Sequence, residues 1–313
     1  MQELIYGCMG LGGSWSDDPY GPEQVAEASA AVQAALAAGI TLFDHADIYR
    51  NGKSEQVFGE VLAATPGLRD RIRLQTKCGI RLNERGLETH YDLSRDAILE
   101  RVNGSLARLQ TDYVDVLLLH RPDPLADPAE VAAAVGQLMA EGKVRHLGVS
   151  NMSGAQIGAL QDRLDTPVVA NQLELSLLAR GWLESQVLVN HPEDLAYSFP
   201  RGTLEYCAAH GVTLQAYGAL ARGLYTGAAP ADASPADLAT AALVADLAAE
   251  LDTTGESVLL GWLMKHPAGI APVIGTVNPA RIQACADAAR VAAAMTRAQW
   301  YGLWVTARGS NIP

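Results

Sequence analysis

Eight times along this chain a short run of β-branched and leucine-rich residues precedes a longer, alanine-rich amphipathic stretch. The strand-like runs fall at 4–8, 40–43, 72–76, 114–119, 144–149, 168–170, 212–216 and 271–274. The helical patterns fall near 22–38, 54–64, 94–109, 128–141, 153–163, 201–210, 235–251 and 279–294. Strands that read as continuous apolar runs, each followed by a helix, belong to parallel sheets covered on their faces. Eight regular units suit a closed (β/α)₈ barrel of the TIM type better than a doubly wound open sheet. Turn chemistry agrees: Gly39 and Gly211 stand where a helix must stop before the next strand, and Ser94 and Ser153 stand where helices open.

Three stretches exceed the minimal repeat. They are a long connection at 179–199, an extra helix at 256–266, and a final helix at 296–308 bearing Trp300, Tyr301 and Trp304. Nothing reads as a linker, so 1–313 is expected to be a single (β/α)₈-barrel domain with extra helices and a C-terminal helix.

The formal net charge of −12 argues against nucleic acid or an anionic membrane surface as partner, since either would need a basic face. The cysteines at 8, 78, 207 and 285 show neither CxxC nor Cys/His metal spacing, so free thiols and no metal site are expected. No stretch reaches transmembrane length free of charges and turn formers, and residues 1–4 lack the basic and apolar runs of a leader. The expectation is a soluble, cytoplasmic protein, monomeric or a small homo-oligomer.

In a (β/α)₈ barrel, functional groups gather at the carboxyl ends of the strands. There the second strand offers Asp44 and, just beyond, Tyr49; the third ends at Lys77; the fourth ends at His120. An unpaired buried ammonium is costly, so Lys77 should have a carboxylate partner, and Asp44 on the neighbouring strand is the natural one. Such a pair next to Tyr49 should lower the phenol's pKa and fit it to act as a general acid, while His120 orients a carbonyl oxygen. Each of these residues alone reads equally as packing or surface; together, at adjacent strand ends, they point to one site.

Asp44-x-Ala46-Asp47-x-Tyr49, Lys77, Leu118-Leu119-His120 and Gly142-Lys143-Val144-Arg145-x-x-Gly148-Val149-Ser150-Asn151 resemble the aldo-keto reductases in order and spacing. The likeness continues through Asn171-Gln172, Tyr217-x-x-Leu220-x-Arg222-Gly223-Leu224 and Ile274-Gly275-Thr276-x-Asn278-Pro279-x-Arg281-Ile282. The stretches HADIY, TKCGIR, LLLHRPDPL and GKVRHLGVSN resemble a largely uncharacterised bacterial branch of oxidoreductases. The resemblance implies a catalytic tetrad of Asp44, Tyr49, Lys77 and His120, with Tyr49 as proton donor. It further implies that Ser150, Asn151 and Gln172 hold a nicotinamide carboxamide and that Tyr217 stacks on the ring. Leu220, Arg222 and Gly223 would cradle the pyrophosphate, and Gly275, Thr276 and Arg281 would receive a 2′-phosphate beside helix N–H groups. Many members carry a Lys where this chain has Gly275. With Arg281 retained, NADP(H) is implied as cofactor, with NAD(H) less strongly excluded. Adenine contacts often made by an acidic or amide residue fall here on Ala284 and Cys285.

The substrate implied is a small carbonyl compound, with Trp15 and Trp182 as candidate pocket walls. Three other readings remain open: a Schiff-base lyase with Lys77 as nucleophile, a cofactor-sensing subunit without catalysis, and a metal hydrolase on Asp44, His45 and His120.

Overall fold

A computed structural model describes residues 3–84 and 86–313. Ten strands are present among them: β1 (Ile5–Gly7), β2 (Leu42–Asp44), β3 (Arg73–Cys78), β4 (Ile80–Glu84), β5 (Leu87–Tyr91), β6 (Val114–Leu119), β7 (Val144–Ser150), β8 (Val168–Glu174), β9 (Thr213–Tyr217) and β10 (Ala271–Ile274). Eight of them close into a parallel barrel in the order β1-β10-β9-β8-β7-β6-β3-β2. The expected (β/α)₈ architecture is therefore the observed one, with every strand-like run of the sequence on a barrel strand.

The two remaining strands were not anticipated. β4 and β5 form an antiparallel hairpin, with Ile80 opposite Tyr91 and Glu84 opposite Leu87, directly after β3. Its turn side is largely exposed, so the segment has too little apolar alternation to announce itself as a strand pair. The helix foreseen at 279–294 is broken in two, Pro279–Gln283 and Ala288–Ala294. The extra helices appear as Gly255–Met264 and Arg297–Arg308.

Local chemistry sets the helix ends. Ser153 accepts from the Gln156 N–H while the Gln156 side chain accepts from the Ser153 N–H, a reciprocal capping box. Thr296 with Gln299 and Ser234 with Asp237 repeat it. Ser94 does occupy a cap position, but its hydroxyl donates to Asp92 Oδ1 at 2.7 Å and does not cap the helix. Gly39 and Gly211 adopt φ of 76° and 69°, the left-handed conformation that closes a helix cheaply only in glycine.

Close contacts group the chain into two compact units. One comprises Ile5–Gln172 and Gly275–Ile282; the other contains Leu173–Ile274 and Gln283–Pro313. In the first, alternation along β3 sends Gln75 and Lys77 to one face and Thr76 to the other, where helix Lys53–Ala64 lies. In the second, Trp262, Trp300 and Trp304 pack together and Glu184 is buried beneath them, accepting from Trp304 Nε1 and Arg308 Nε at 3.0 Å each.

Candidate active site

Parallel register steps Asp44, Lys77 and His120 along adjacent strands, each two residues further on than the last. Gly7 pairs with Asp44, Asp44 with Gln75, and Lys77 with Leu118. Backbone bonds continue the ladder past the strand ends: His45 N–H donates to Gln75 O, Asp47 N–H to Lys77 O, and His120 N–H to Cys78 O. The Lys77 ammonium is almost wholly buried and spends all three of its N–H groups. It donates to Asp44 Oδ2 at 2.6 Å, His45 O at 3.0 Å and the Tyr49 hydroxyl oxygen at 3.0 Å. The expected Asp44–Lys77 pair is thus present and reaches Tyr49 directly. The His120 ring stands edge-on to the Tyr49 ring, 6.0 Å between centroids, and its Nδ1 is buried without a partner among the described residues.

Sequence reasoning missed Gln75, whose Nε2 donates to Asp44 Oδ1 at 2.6 Å and so fixes the second carboxylate oxygen. A polar residue two positions before Lys77 on an otherwise apolar strand was the available signal, since i and i+2 share a face.

Electrostatics depart from one expectation. Burial raises the Tyr49 phenol above its ordinary value; the Lys77 charge and hydrogen bond pull it down without prevailing. The expected lowering is therefore corrected: the site keeps Tyr49 protonated at neutral pH. Burial pulls Lys77 down, but Asp44 and Tyr49 outweigh it and hold the ammonium charged. Burial, then the charges of Lys77 and Arg121, push His120 well down, so its imidazole is neutral.

Behind β2 and β3 a second polar layer supports the first. Glu55, fully buried, accepts from Thr76 Oγ1 at 2.6 Å and from Arg108 Nε at 2.8 Å. Asp47 lies 3.8 Å from Arg101, and burial, then Glu55, raises its carboxyl to about 7. His45 faces outward onto Phe58, 4.6 Å between ring centroids, with neither ring nitrogen partnered among the described residues.

Ser150, Asn151 and Gln172 come together at the ends of β7 and β8. Ser150 Oγ donates to Gln172 O at 2.9 Å and accepts from Asn151 Nδ2 at 2.8 Å; the Asn151 N–H also donates to Gln172 O at 2.9 Å. Asn151 Nδ2 approaches His120 O at 3.3 Å, so this group is tied to the strand end that carries His120. Beside it, buried Asn171 donates to Met152 O at 2.8 Å and leaves its Oδ1 without a described partner. Gly275 and Arg281 are exposed and Thr276 half-buried; Thr276 O accepts from the Tyr6 hydroxyl at 3.1 Å. Two N–H groups opening helix Pro279–Gln283, those of Ala280 and Arg281, are already taken by Asn278 Oδ1 at 2.9 and 3.3 Å. The Asn278 side chain therefore caps this helix end from within the chain.

The other unit carries Tyr217, Leu220, Arg222, Gly223 and Trp182. Tyr217 ends β9 half-buried, its carbonyl accepting from the Leu175 N–H at 3.3 Å. Leu220, Arg222 and Gly223 form a tight turn in which Arg222 takes a φ of 56° and the Gly223 N–H donates to Leu220 O at 2.8 Å. Trp182 is a correction. It is 0% exposed, packed edge-on against Trp262 at 5.7 Å and His266 at 5.0 Å, and serves as core rather than pocket wall. A tryptophan in a long loop resembled a pocket wall only because the sequence hides the helix Gly181–Val187 that turns it inward. Trp15, by contrast, is 44% exposed beneath Arg50, whose guanidinium lies 5.4 Å from the ring centre.

The model of the Aldo/keto reductase family matches residues 3–300 of this sequence. The chain belongs to that family. Among curated relatives of this aldo-keto reductase, a 6-dehydroglucose reductase of Agrobacterium fabrum is 35% identical over 317 residues, covering 100% of this chain and 96% of its own. An oxidoreductase of Bacillus subtilis, YcsN, is 38% identical over 281 residues, covering 88% and 86%. Among solved structures, the glycerol dehydrogenase of Gluconobacter oxydans superposes with a TM-score of 0.79 at 23% identity, over 99% of this chain and 93% of that one, and so shares the fold. Family and relatives together make the chain an oxidoreductase.

Proposed function

We propose that this aldo-keto reductase reduces small aldehydes or ketones to alcohols in the cytoplasm, with NADPH as the preferred cofactor and NADH as a weaker one. The observation that carries the reading is the closed relay Asp44–Lys77–Tyr49 with neutral His120 at its edge. Because Lys77 donates to the Tyr49 oxygen, the phenol's own proton is free to be given elsewhere. Tyr49 hands that proton to the carbonyl oxygen, and Lys77, held charged by Asp44, stabilises the phenolate left behind. His120, neutral and tied through its strand end to Asn151, orients the carbonyl oxygen against Tyr49. Gln75 keeps Asp44 from turning away from Lys77.

A nicotinamide held by Ser150, Asn151 and Gln172 would supply a hydride for the carbonyl carbon. Asn151 and Gln172 around Ser150 fit a primary carboxamide, which needs both donors and acceptors, and the unpartnered Asn171 Oδ1 adds an acceptor in the same neighbourhood. Tyr217 is assigned to the ring, Leu220, Arg222 and Gly223 to the pyrophosphate, and Gly275, Thr276 and Arg281 to the 2′-phosphate. The 6-dehydroglucose reductase relative makes a sugar-derived aldehyde a reasonable member of the substrate class. A Schiff-base role for Lys77 is disfavoured, because its nitrogen is protonated and fully engaged.

Equilibrium titrations of protein fluorescence with NADPH and NADH test the cofactor assignment, with tighter NADPH binding expected. Tyr49→Phe should abolish aldehyde reduction while NADPH affinity changes by less than about twofold, because the ring stays and only the proton is lost. Retention of most of the rate would refute the proton-donor role, and no binding of either cofactor would refute the whole reading.

A further inference from the structure

Each of the two rings at the centre of the site is followed in sequence by an arginine: Arg50 after Tyr49, and Arg121 after His120. Both are half-buried, and neither has a carboxylate partner among the described residues. Arg50 spends its Nε on Met9 O at 3.0 Å and lays its guanidinium over Trp15, with no described partner for its two terminal nitrogens. Arg121 stands near enough for its charge to depress His120. Neighbouring carboxylates are committed elsewhere: Asp47 lies 3.8 Å from Arg101, and Glu55 accepts from Thr76 and Arg108. Asp17 accepts from Asn51 and Asp18 from Ser16, at 3.0 and 2.8 Å. Asp44 serves Lys77 and Gln75, and Asp123 accepts from the backbone N–H groups of Leu93 and Leu125. In a chain of net charge −12, two partly solvent-exposed arginines directly following Tyr49 and His120, with no carboxylate partner among the described residues, leave positive charge open to a ligand at this end of the barrel.

The position of Arg50 is built, not incidental. Its φ of 52° and that of Asn51 at 56° lie in the left-handed region that non-glycine residues adopt at some cost. The strained turn is strapped to the loop carrying Trp15. Asn51 Nδ2 donates to Trp15 O at 3.0 Å, and Lys53 Nζ donates to Ser16 O and Asp18 O at 2.7 and 2.9 Å. At Gly12 in this loop a Cβ would stand 2.8 Å from the Lys53 backbone, so the approach itself demands glycine. Arg50 and Trp15 are therefore held against each other by bonds between their two loops.

We infer that the site selects carbonyl substrates carrying an anionic group, a carboxylate or a phosphate, which Arg50 and Arg121 grip with Trp15 as the wall. This rests on the carbonyl-reductase reading and adds the substrate class. Charge-assisted hydrogen bonds from guanidinium to an oxyanion supply the discrimination, and a bound oxyanion supplies the counter-ion that the protein omits.

The test uses matched pairs with NADPH: 4-carboxybenzaldehyde against 4-methylbenzaldehyde, and D-glyceraldehyde 3-phosphate against D-glyceraldehyde. The kcat/KM of the anionic member should exceed that of its neutral partner by about tenfold or more, in whichever pair carries the preferred anion, and salt should reduce the ratio. Arg50→Gly, which suits the backbone conformation, and Arg121→Gln should each lower the ratio at least about fivefold, chiefly through KM. A ratio near one in both pairs, or one untouched by either variant, overturns the proposal. If neither member of either pair is reduced, the carbonyl-reductase reading fails, and the anion site is judged separately by titrating tryptophan fluorescence with benzoate and inorganic phosphate. Binding that Arg50→Gly abolishes then supports the site; no binding to the unmodified protein refutes it.

Discussion

Replacing His45 with Leu exposes an electrostatic cost hidden behind the reaction centre. The ring is fully buried against Phe58, and burial, then the Lys77 charge, depresses it to about 3. In the unfolded chain an imidazole titrates near about 6.5. Between these values the unfolded state binds a proton that the folded state does not, so stability is full above the unfolded pKa and is lost as pH falls. Each pH unit below about 6.5 removes about 1.4 kcal/mol, so acidification from about pH 7.5 to about pH 5 costs the protein about 2 kcal/mol through this one ring.

Asp47 works in the opposite sense. Its folded pKa is raised to about 7, so the folded state holds a proton that an unfolded carboxyl releases near about 4. Over the same acidification it adds about 2.5 kcal/mol, which nearly cancels His45 and would mask it in the unmodified protein alone. The informative quantity is the difference between the two proteins. Urea unfolding of both at each pH should show the stability gap moving by about 2 kcal/mol in favour of His45→Leu on acidification. The Lys77 bond to residue 45 is to the backbone carbonyl and survives the substitution. A gap that stays constant with pH would refute the claim that the ring is neutral and unpartnered in the folded state.

Arg281→Ala should weaken NADPH binding about tenfold or more while changing NADH by less than about twofold, read from paired fluorescence titrations, because it deletes the charge partner assigned to the 2′-phosphate. Equal losses would remove that role. Gly59→Ala should destabilise the fold by at least about 2 kcal/mol in urea unfolding, since the added methyl would lie 2.2 Å from Arg108 O where helix Lys53–Ala64 meets helix Arg95–Leu109. A change within about 0.5 kcal/mol would show that the two helices separate at little cost.

The eight-fold alternation and the residues at its strand ends were legible in the sequence because both follow from short-range rules. An apolar run of five residues followed by a 3.6-residue period specifies a covered parallel strand and its helix, and a Lys at the end of such a run demands a counter-charge. Asp44, Lys77, Tyr49 and His120 were found in this way. Tertiary structure decided what depends on neighbours distant in the chain. It made Trp182 core, because a seven-residue helix turns it against Trp262 and His266. It raised the Tyr49 phenol, because burial outweighs the adjacent ammonium, a balance that no spacing of residues encodes. It brought Gln75 onto Asp44, Glu55 between Thr76 and Arg108, and Trp15 beneath Arg50. Periodicity tells which face a residue occupies, but only packing decides which partners wait there and how much water they exclude, and the pKa values and counter-ions of a site depend on both.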